Sequence, residues 1–264
     1  MTQPRSGAQE ARSRIHRWIR RAFLSWAVIS SLWLANSMRT RGVDESTLRT
    51  SSTVAVTDGS MALEFLPVPA SREAGLVFIC GSGVSAHAYA PLLRPIAEAG
   101  HPVFVVKLPY RFAPFDSHKD AAIGRARRVF ETHREISRWV IAGHSLGGAL
   151  AARVTRTVPR GVTGLVLIGT THPKRDDLSS LAIPVTKIYG SNDGVAPPDR
   201  MLATKHLLPK QTRWVEIEGG NHSQFGHYGR QLFDGKATVS REAQQAIARS
   251  AILEQLRASE DASR

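Results

Sequence analysis

The sequence contains one cysteine, Cys80, in 264 residues, so no disulfide can form within the chain. No set of Cys and His residues has zinc-ligand spacing. His222 and His227 come nearest and stand alone. A glycine-rich loop leading into lysine, which would cradle a phosphate, is also missing. Chemistry is therefore expected from side chains alone, with no metal and no other cofactor. Aromatic residues make up 7% of the chain, and none are interleaved with a long basic run. The formal charge of +13 invites a nucleic-acid reading, but residues 1–41 carry eight Arg against Glu10. More than half of the excess thus lies in a sixth of the chain, and the body is only mildly basic. That is not a nucleic-acid footprint.

What the first forty residues do have is order. Arg5, Arg12, Arg14, Arg17, Arg20 and Arg21 precede an uncharged, largely apolar stretch from Ala22 to Met38. A basic flank before an apolar segment reads as an export signal or an amino-terminal membrane anchor. The 17 residues include Ser25, Ser30, Ser31, Asn36 and Ser37, which makes a marginal span. Arg20-Arg21-Ala22-Phe23-Leu24 resembles a twin-arginine export pattern, with Ala35 and Ser37 available at a cleavage site. An amphipathic surface helix is the bland alternative. The expectation is residues 1–38 as flank plus anchor or signal, 39–53 as a polar linker, and 54–264 as one domain. The body is then expected outside the cytoplasm, membrane-anchored or exported.

From Val54 onward the pattern alternates. Val54–Val56 and Met61–Leu66 flank Asp58-Gly59, a hairpin signal. Leu76–Ile79, Val103–Lys107, Trp139–Ala142, Leu165–Ile168, Val185–Tyr189 and Trp214–Ile217 are short apolar runs. Between or after them lie helical stretches at Ala88–Ala99, from Ser117 (as cap) to His133, at Leu146–Val158 and at Arg241–Arg257. Strands alternating with helices imply an α/β fold: a mostly parallel sheet covered on both faces. The leading hairpin suits its antiparallel edge.

Gly143-His144-Ser145-Leu146-Gly147-Gly148 follows one of these strands and opens a helix. A sharp strand-to-helix turn needs glycines beside the serine, because β-carbons there would clash. The turn lifts the hydroxyl above the sheet and aims backbone N–H groups at it. Ser145 is the expected nucleophile. It needs a histidine to take its proton and an acid to orient that histidine, in the chain order Ser, acid, His. Asp193 in Tyr189-Gly190-Ser191-Asn192-Asp193-Gly194 and His222 in Gly219-Gly220-Asn221-His222-Ser223 both follow strands. His227 is the one serious rival to His222. An oxyanion needs donors, expected from the N–H of Leu146 and from the loop Cys80-Gly81-Ser82-Gly83-Val84, with Ser82 first and Gly83 second. Cys80 reads as a buried strand-end residue.

These residues resemble the small, lidless α/β-hydrolases of the "fold-5" family, whose core is similar to that of dienelactone hydrolases. The likeness covers about residues 54–257. It is carried by Cys80–Val84 with Ala88-Tyr89-Ala90-Pro91-Leu92, Val106-Lys107-Leu108-Pro109, the elbow, the Asp193 loop, Gly219–Gly226 and Tyr228-Gly229-Arg230-Gln231. The family usually has Pro-Gly where Cys80-Gly81 stands and Pro where Arg230 stands. The resemblance implies a Ser145–Asp193–His222 triad, an α/β-hydrolase fold without a large lid, and often an amino-terminal membrane segment. Only 16 residues separate Ile168 from Val185, where lipase-like lids commonly sit. The expected activity is hydrolysis of a small-molecule carboxylic ester through an acyl-enzyme. The alternatives are acyl transfer to an envelope substrate and a non-catalytic, membrane-tethered binding domain. No obligate protein partner is indicated.

Overall fold

The computed structural model describes residues 7–69, 74–157, 159–174 and 176–261, and divides the chain into Met1–Ser37 and Met38–Arg264. The first unit is one helix, α1 (Gly7–Ser37). Arg14, Arg17, Arg20 and Arg21 lie exposed on it, as do Trp18, Phe23, Leu24, Trp26 and Ile29; Arg5 lies outside the described residues. No described helix is long and apolar enough to cross a membrane, which corrects the expectation of a spanning anchor at Ala22–Met38. The reason is composition: Ser25, Ser30, Ser31 and Asn36 dilute the apolar residues, and the arginines share the same helix.

The second unit is built on eight strands. In chain order they are β1 (Val54–Asp58), β2 (Ala62–Pro67), β3 (Gly75–Ile79), β4 (Val103–Val106), β5 (Trp139–His144), β6 (Val162–Ile168), β7 (Val185–Gly190) and β8 (Arg213–Ile217). Across the sheet they run β1-β2-β4-β3-β5-β6-β7-β8. The hairpin β1–β2 is antiparallel and pairs antiparallel with β4, while every pair from β4 to β8 is parallel. Strands β3, β4, β5 and β7 are buried along their whole length, as parallel strands covered on both faces must be. Their cover comes from α2 (Ala90–Glu98), which packs with α6 (Arg241–Asp261), and from α3 (Asp116–Thr132), which packs with α4 (Leu146–Thr155). A short α5 (Pro198–Leu202) precedes β8. Phe65, Phe78, Phe104 and Leu92 have no exposed surface, and each such side chain contributes roughly 1.5–3 kcal/mol of burial.

The helix starts differ from the sequence reading in two places. Ala86–Tyr89 forms a 3₁₀ turn, and α2 starts after it with Pro91 in the first turn, where a missing N–H costs nothing. Ser117 lies inside α3, whose N-cap is Phe115 with no side-chain cap bond. Val158, the expected end of α4, lies outside the described residues.

The polar stretch 39–53, expected as a linker, is held against the domain. Buried Arg94 donates to the carbonyls of Ser46 (3.2 Å), Thr47 (3.1 Å) and Arg49 (2.7 Å). Thr40 forms a bridge with Tyr228, and Arg41 N–H donates to the His227 carbonyl at 2.9 Å. A polar sequence looks like a tether because its anchor, one guanidinium with many donors, sits 45 residues downstream.

Candidate active site

Parallel strands β3, β5, β7 and β8 end at one edge of the sheet, so the loops after them gather there. The turn from β5 into α4 carries Ser145 at φ 54°, ψ −118°, a left-handed conformation for a residue with a side chain. Its glycines are dictated by space. A Cβ on Gly143 would stand 2.2 Å from the Gly147 carbonyl carbon, and one on Gly147 would stand 1.9 Å from the Ile79 oxygen. The strain is held by Ser145 N–H donating to Ile168 (2.9 Å) and by the Ser145 carbonyl accepting from Gly148 N–H (3.1 Å).

Asp193 and His222 meet from different loops. Asp193, 2% exposed, accepts through Oδ1 from the N–H groups of Val195 (2.9 Å) and Ala196 (2.6 Å). Its Oδ2 lies 2.9 Å from Nδ1 of His222, whose side chain is fully buried. An ionised carboxylate only accepts, so Nδ1 carries the proton and Nε2 presents its lone pair. Among the described residues Nε2 has no hydrogen-bond partner, Ser145 Oγ included. Ser145, Leu146, Val195 and His222 line one cleft of about 190 Å³, together with Thr170, His172 and Lys174. His227, the rival, turns its Nδ1 to the Gly42 carbonyl at 3.0 Å and is not part of that lining.

The expected oxyanion donors separate by occupancy. Leu146 is the first residue of α4, where a helix leaves its N–H groups unsatisfied, and it lines the cleft. Gly83 N–H is already committed to the Arg111 carbonyl at 2.7 Å. Among the described residues no acceptor is found for Ser82 N–H, while Ser82 Oγ donates to the Phe112 carbonyl at 3.1 Å. The loop runs beside the elbow: a Cβ on Gly81 would come within 3.3 Å of the His144 carbonyl.

Residues 75–246, well over half of the chain, match the model of the Alpha/beta hydrolase family. The chain belongs to that family. Solved structures agree on the fold. The chain is similar to a ferulic acid esterase from Streptomyces cinnamoneus (20% identity, 72% of this chain and 68% of that one, TM-score 0.59). It is also similar to a lidless α/β serine hydrolase from Xanthomonas campestris (19% identity, 79% and 95%, TM-score 0.54). A predicted CIB-like hydrolase from Thermoplasma acidophilum matches at 15% identity over 76% and 99%, with TM-score 0.59. No curated protein matches the sequence.

The sequence reading gave no role to three buried residues of this hydrolase. Asp234 is buried and accepts from His222 N–H (3.1 Å), Ser223 N–H (2.9 Å) and Ser223 Oγ (2.6 Å), so it fixes the backbone that carries the histidine. Tyr89 is treated below. Lys187 on β7 is fully buried, and its Nζ donates to the His172 carbonyl at the cleft. Only Asp-Gly after an apolar run, at Asp234-Gly235, and a lysine inside an apolar strand hinted at two of them. Cys80 is fully buried, and burial pushes its thiol up to about 12, which makes it unreactive.

Burial lowers the Lys187 ammonium from an ordinary 10.5 to about 7. Between those values the unfolded chain binds a proton that the folded chain does not. Stability therefore rises with pH through that window, by up to about 1.4 kcal/mol per pH unit, and is flat with respect to this group below it. Lys187→Met is expected to remove the rise. Urea midpoints of both proteins from pH 6 to 9 test this; parallel curves would refute it.

Proposed function

We propose that this hydrolase cleaves carboxylic esters of small acyl groups through an acyl-enzyme on Ser145. The observation that carries the reading is the buried Asp193–His222 pair at 2.9 Å, opening on the same cleft as a serine held in a strained elbow. The Ser145 proton passes to His222 Nε2 as Oγ attacks the ester carbonyl carbon, and the charge on the carbonyl oxygen is met by the N–H groups of Leu146 and Ser82. Collapse breaks the bond to the alcohol, which leaves with the proton from Nε2. Water then enters, gives its proton to Nε2 and releases the acid by the same steps. Asp193 keeps the ring in the one tautomer that can do this.

Size sets the substrate class. A cleft of about 190 Å³ lies below the roughly 300–1,000 Å³ range of drug-sized ligand pockets. The connection between β6 and β7 contains no described helix that would form a lid. A p-nitrophenyl ester series is expected to give highest kcat/KM at acetate to butyrate and a fall by at least tenfold at decanoate. A flat or rising series would exclude the small-acyl reading, and no turnover of any member together with no fluorophosphonate labelling would exclude the hydrolase mechanism.

The amino-terminal helix supports a place outside the cytoplasm. Its arginines precede an exposed apolar stretch, the order of an export signal or a membrane-surface segment. The full chain is expected in the envelope fraction and is expected to be cleaved when intact cells are treated with protease. A protein found only in the cytosol and resistant to that treatment would refute this.

A further inference from the structure

We propose that Tyr89 is a positioning residue whose hydroxyl, held by His144, pins the Gly81 N–H and so sets the loop that carries the Ser82 donor. The geometry stands by itself; its catalytic consequence rests on the serine-hydrolase reading above.

Tyr89 closes the 3₁₀ turn before α2 and has no exposed surface. Its neighbours in sequence are apolar: Ala86, Ala88, Ala90, Leu92 and Leu93 are all buried with it. A phenol in such a place is costly unless its hydroxyl finds partners. It finds two. Gly81 N–H donates to the phenol oxygen at 3.0 Å, and His144 Nδ1 lies 2.9 Å from it. An N–H can only donate, so the oxygen accepts from Gly81; the arrangement that also uses the phenol's own single proton gives it to Nδ1. His144 is then the neutral tautomer with its proton on Nε2. Burial keeps both groups neutral, raising the phenol well above its ordinary range and lowering the imidazole well below its own. A phenol that donates to an imidazole is also a better acceptor for Gly81, while Nε2 of His144 finds no hydrogen-bond partner among the described residues.

This one hydroxyl ties the loop after β3 to the residue before Ser145. Ile79 and Gly143 pair across the two strands, so the tie closes just beyond the last rung. Gly81 lets the two side chains close on it: a Cβ there would stand 3.0 Å from both the Tyr89 oxygen and His144 Nδ1, and they would have to give way by a few tenths of an ångström. Ser82 is thus bracketed. The peptide before it is held through Gly81 N–H, and the peptide after it through Gly83 N–H on the Arg111 carbonyl at 2.7 Å. Only the Ser82 N–H between them is left without an acceptor among the described residues. The same cluster touches the general base: the His144 ring centroid lies 4.5 Å from that of His222, and the Ala88 carbonyl accepts from His227 N–H at 2.7 Å. Tyr89 therefore stands where the oxyanion loop, the elbow and the histidine loop meet.

The test uses the full chain. Tyr89→Phe keeps the ring and removes the tie. Removing an oxyanion donor outright lowers kcat about 10²–10³-fold, so releasing its support is expected to cost about 10–100-fold in kcat, with KM within about twofold. Affinity for an alkyl trifluoromethyl ketone, whose serine adduct carries the oxyanion, should fall by the same factor as kcat/KM. A residue that only fills the core would not produce that match. His144→Asn places an acceptor oxygen near the Nδ1 position and is expected to restore most of what His144→Leu loses. Wild-type kcat and ketone affinity in Tyr89→Phe would overturn the proposal, as would equal losses in the two His144 variants. Should Tyr89→Phe fail to fold, the His144 pair decides. Should the wild-type chain neither turn over esters nor take a fluorophosphonate, the hydrolase reading fails separately. Amide exchange at Gly81 then decides the tie: faster in Tyr89→Phe supports it, unchanged refutes it.

Discussion

Ser145→Ala is expected to lower kcat for a short-chain ester by about 10³-fold or more, and to abolish fluorophosphonate labelling, while the thermal midpoint shifts by only a few degrees. The fold should survive because alanine keeps the β-carbon that already occupies the left-handed position at φ 54°. The backbone bonds that hold the turn, from Ser145 N–H to Ile168 and from Gly148 N–H to Ser145, do not involve the hydroxyl. What disappears is the only side-chain oxygen of the elbow itself, on the cleft that His222 also lines. The residual rate would come from the Leu146 and Ser82 donors and from substrate binding. A variant with more than about a tenth of wild-type kcat would end the assignment of Ser145 as nucleophile.

The second large effect lies in the pair behind it. His222→Ala and Asp193→Asn are each expected to lose about 10³–10⁴-fold in kcat on the same ester, whereas His227→Ala should stay within about tenfold of wild type. Asp193→Asn is informative because the backbone dictates how the amide must sit. The N–H groups of Val195 and Ala196, at 2.9 and 2.6 Å, claim the side-chain oxygen that remains. The new NH₂ is therefore turned toward His222, where it donates to Nδ1 and moves the ring proton to Nε2. A ring in that tautomer has no lone pair for the Ser145 proton. His227 has no such part, since its ring is engaged with the Gly42 carbonyl at 3.0 Å. Steady-state kinetics on the three variants, with circular dichroism to confirm folding, check this. An active His222→Ala beside an inactive His227→Ala would exchange the two roles.

The sequence by itself determined what depends on short range. Alternation of apolar runs with helical stretches placed all eight strands, because strand and helix periodicities are local properties. The elbow was legible for the same reason: Gly143 and Gly147 bracket Ser145 within five residues, and their requirement is a steric one between near neighbours. Chain order put Asp193 and His222 at strand ends. Three matters were decided only by the tertiary structure, each by contacts between residues far apart in the chain. Asp193 reaches His222 across 29 positions, and it is this bond that separates His222 from His227. Arg94 draws residues 46–49 onto the domain across 45 to 48 positions, so a polar stretch that read as a tether is packed. Tyr89 meets His144 across 55 positions and Gly81 across 8, and the commitment of Gly83 N–H to Arg111 leaves the Ser82 N–H as the loop's open donor among the described residues. A pattern of residue types carries the preferences of each segment. Which hydrogen-bonding groups become buried together, and must therefore satisfy one another, is set only when the loops converge at one edge of the sheet.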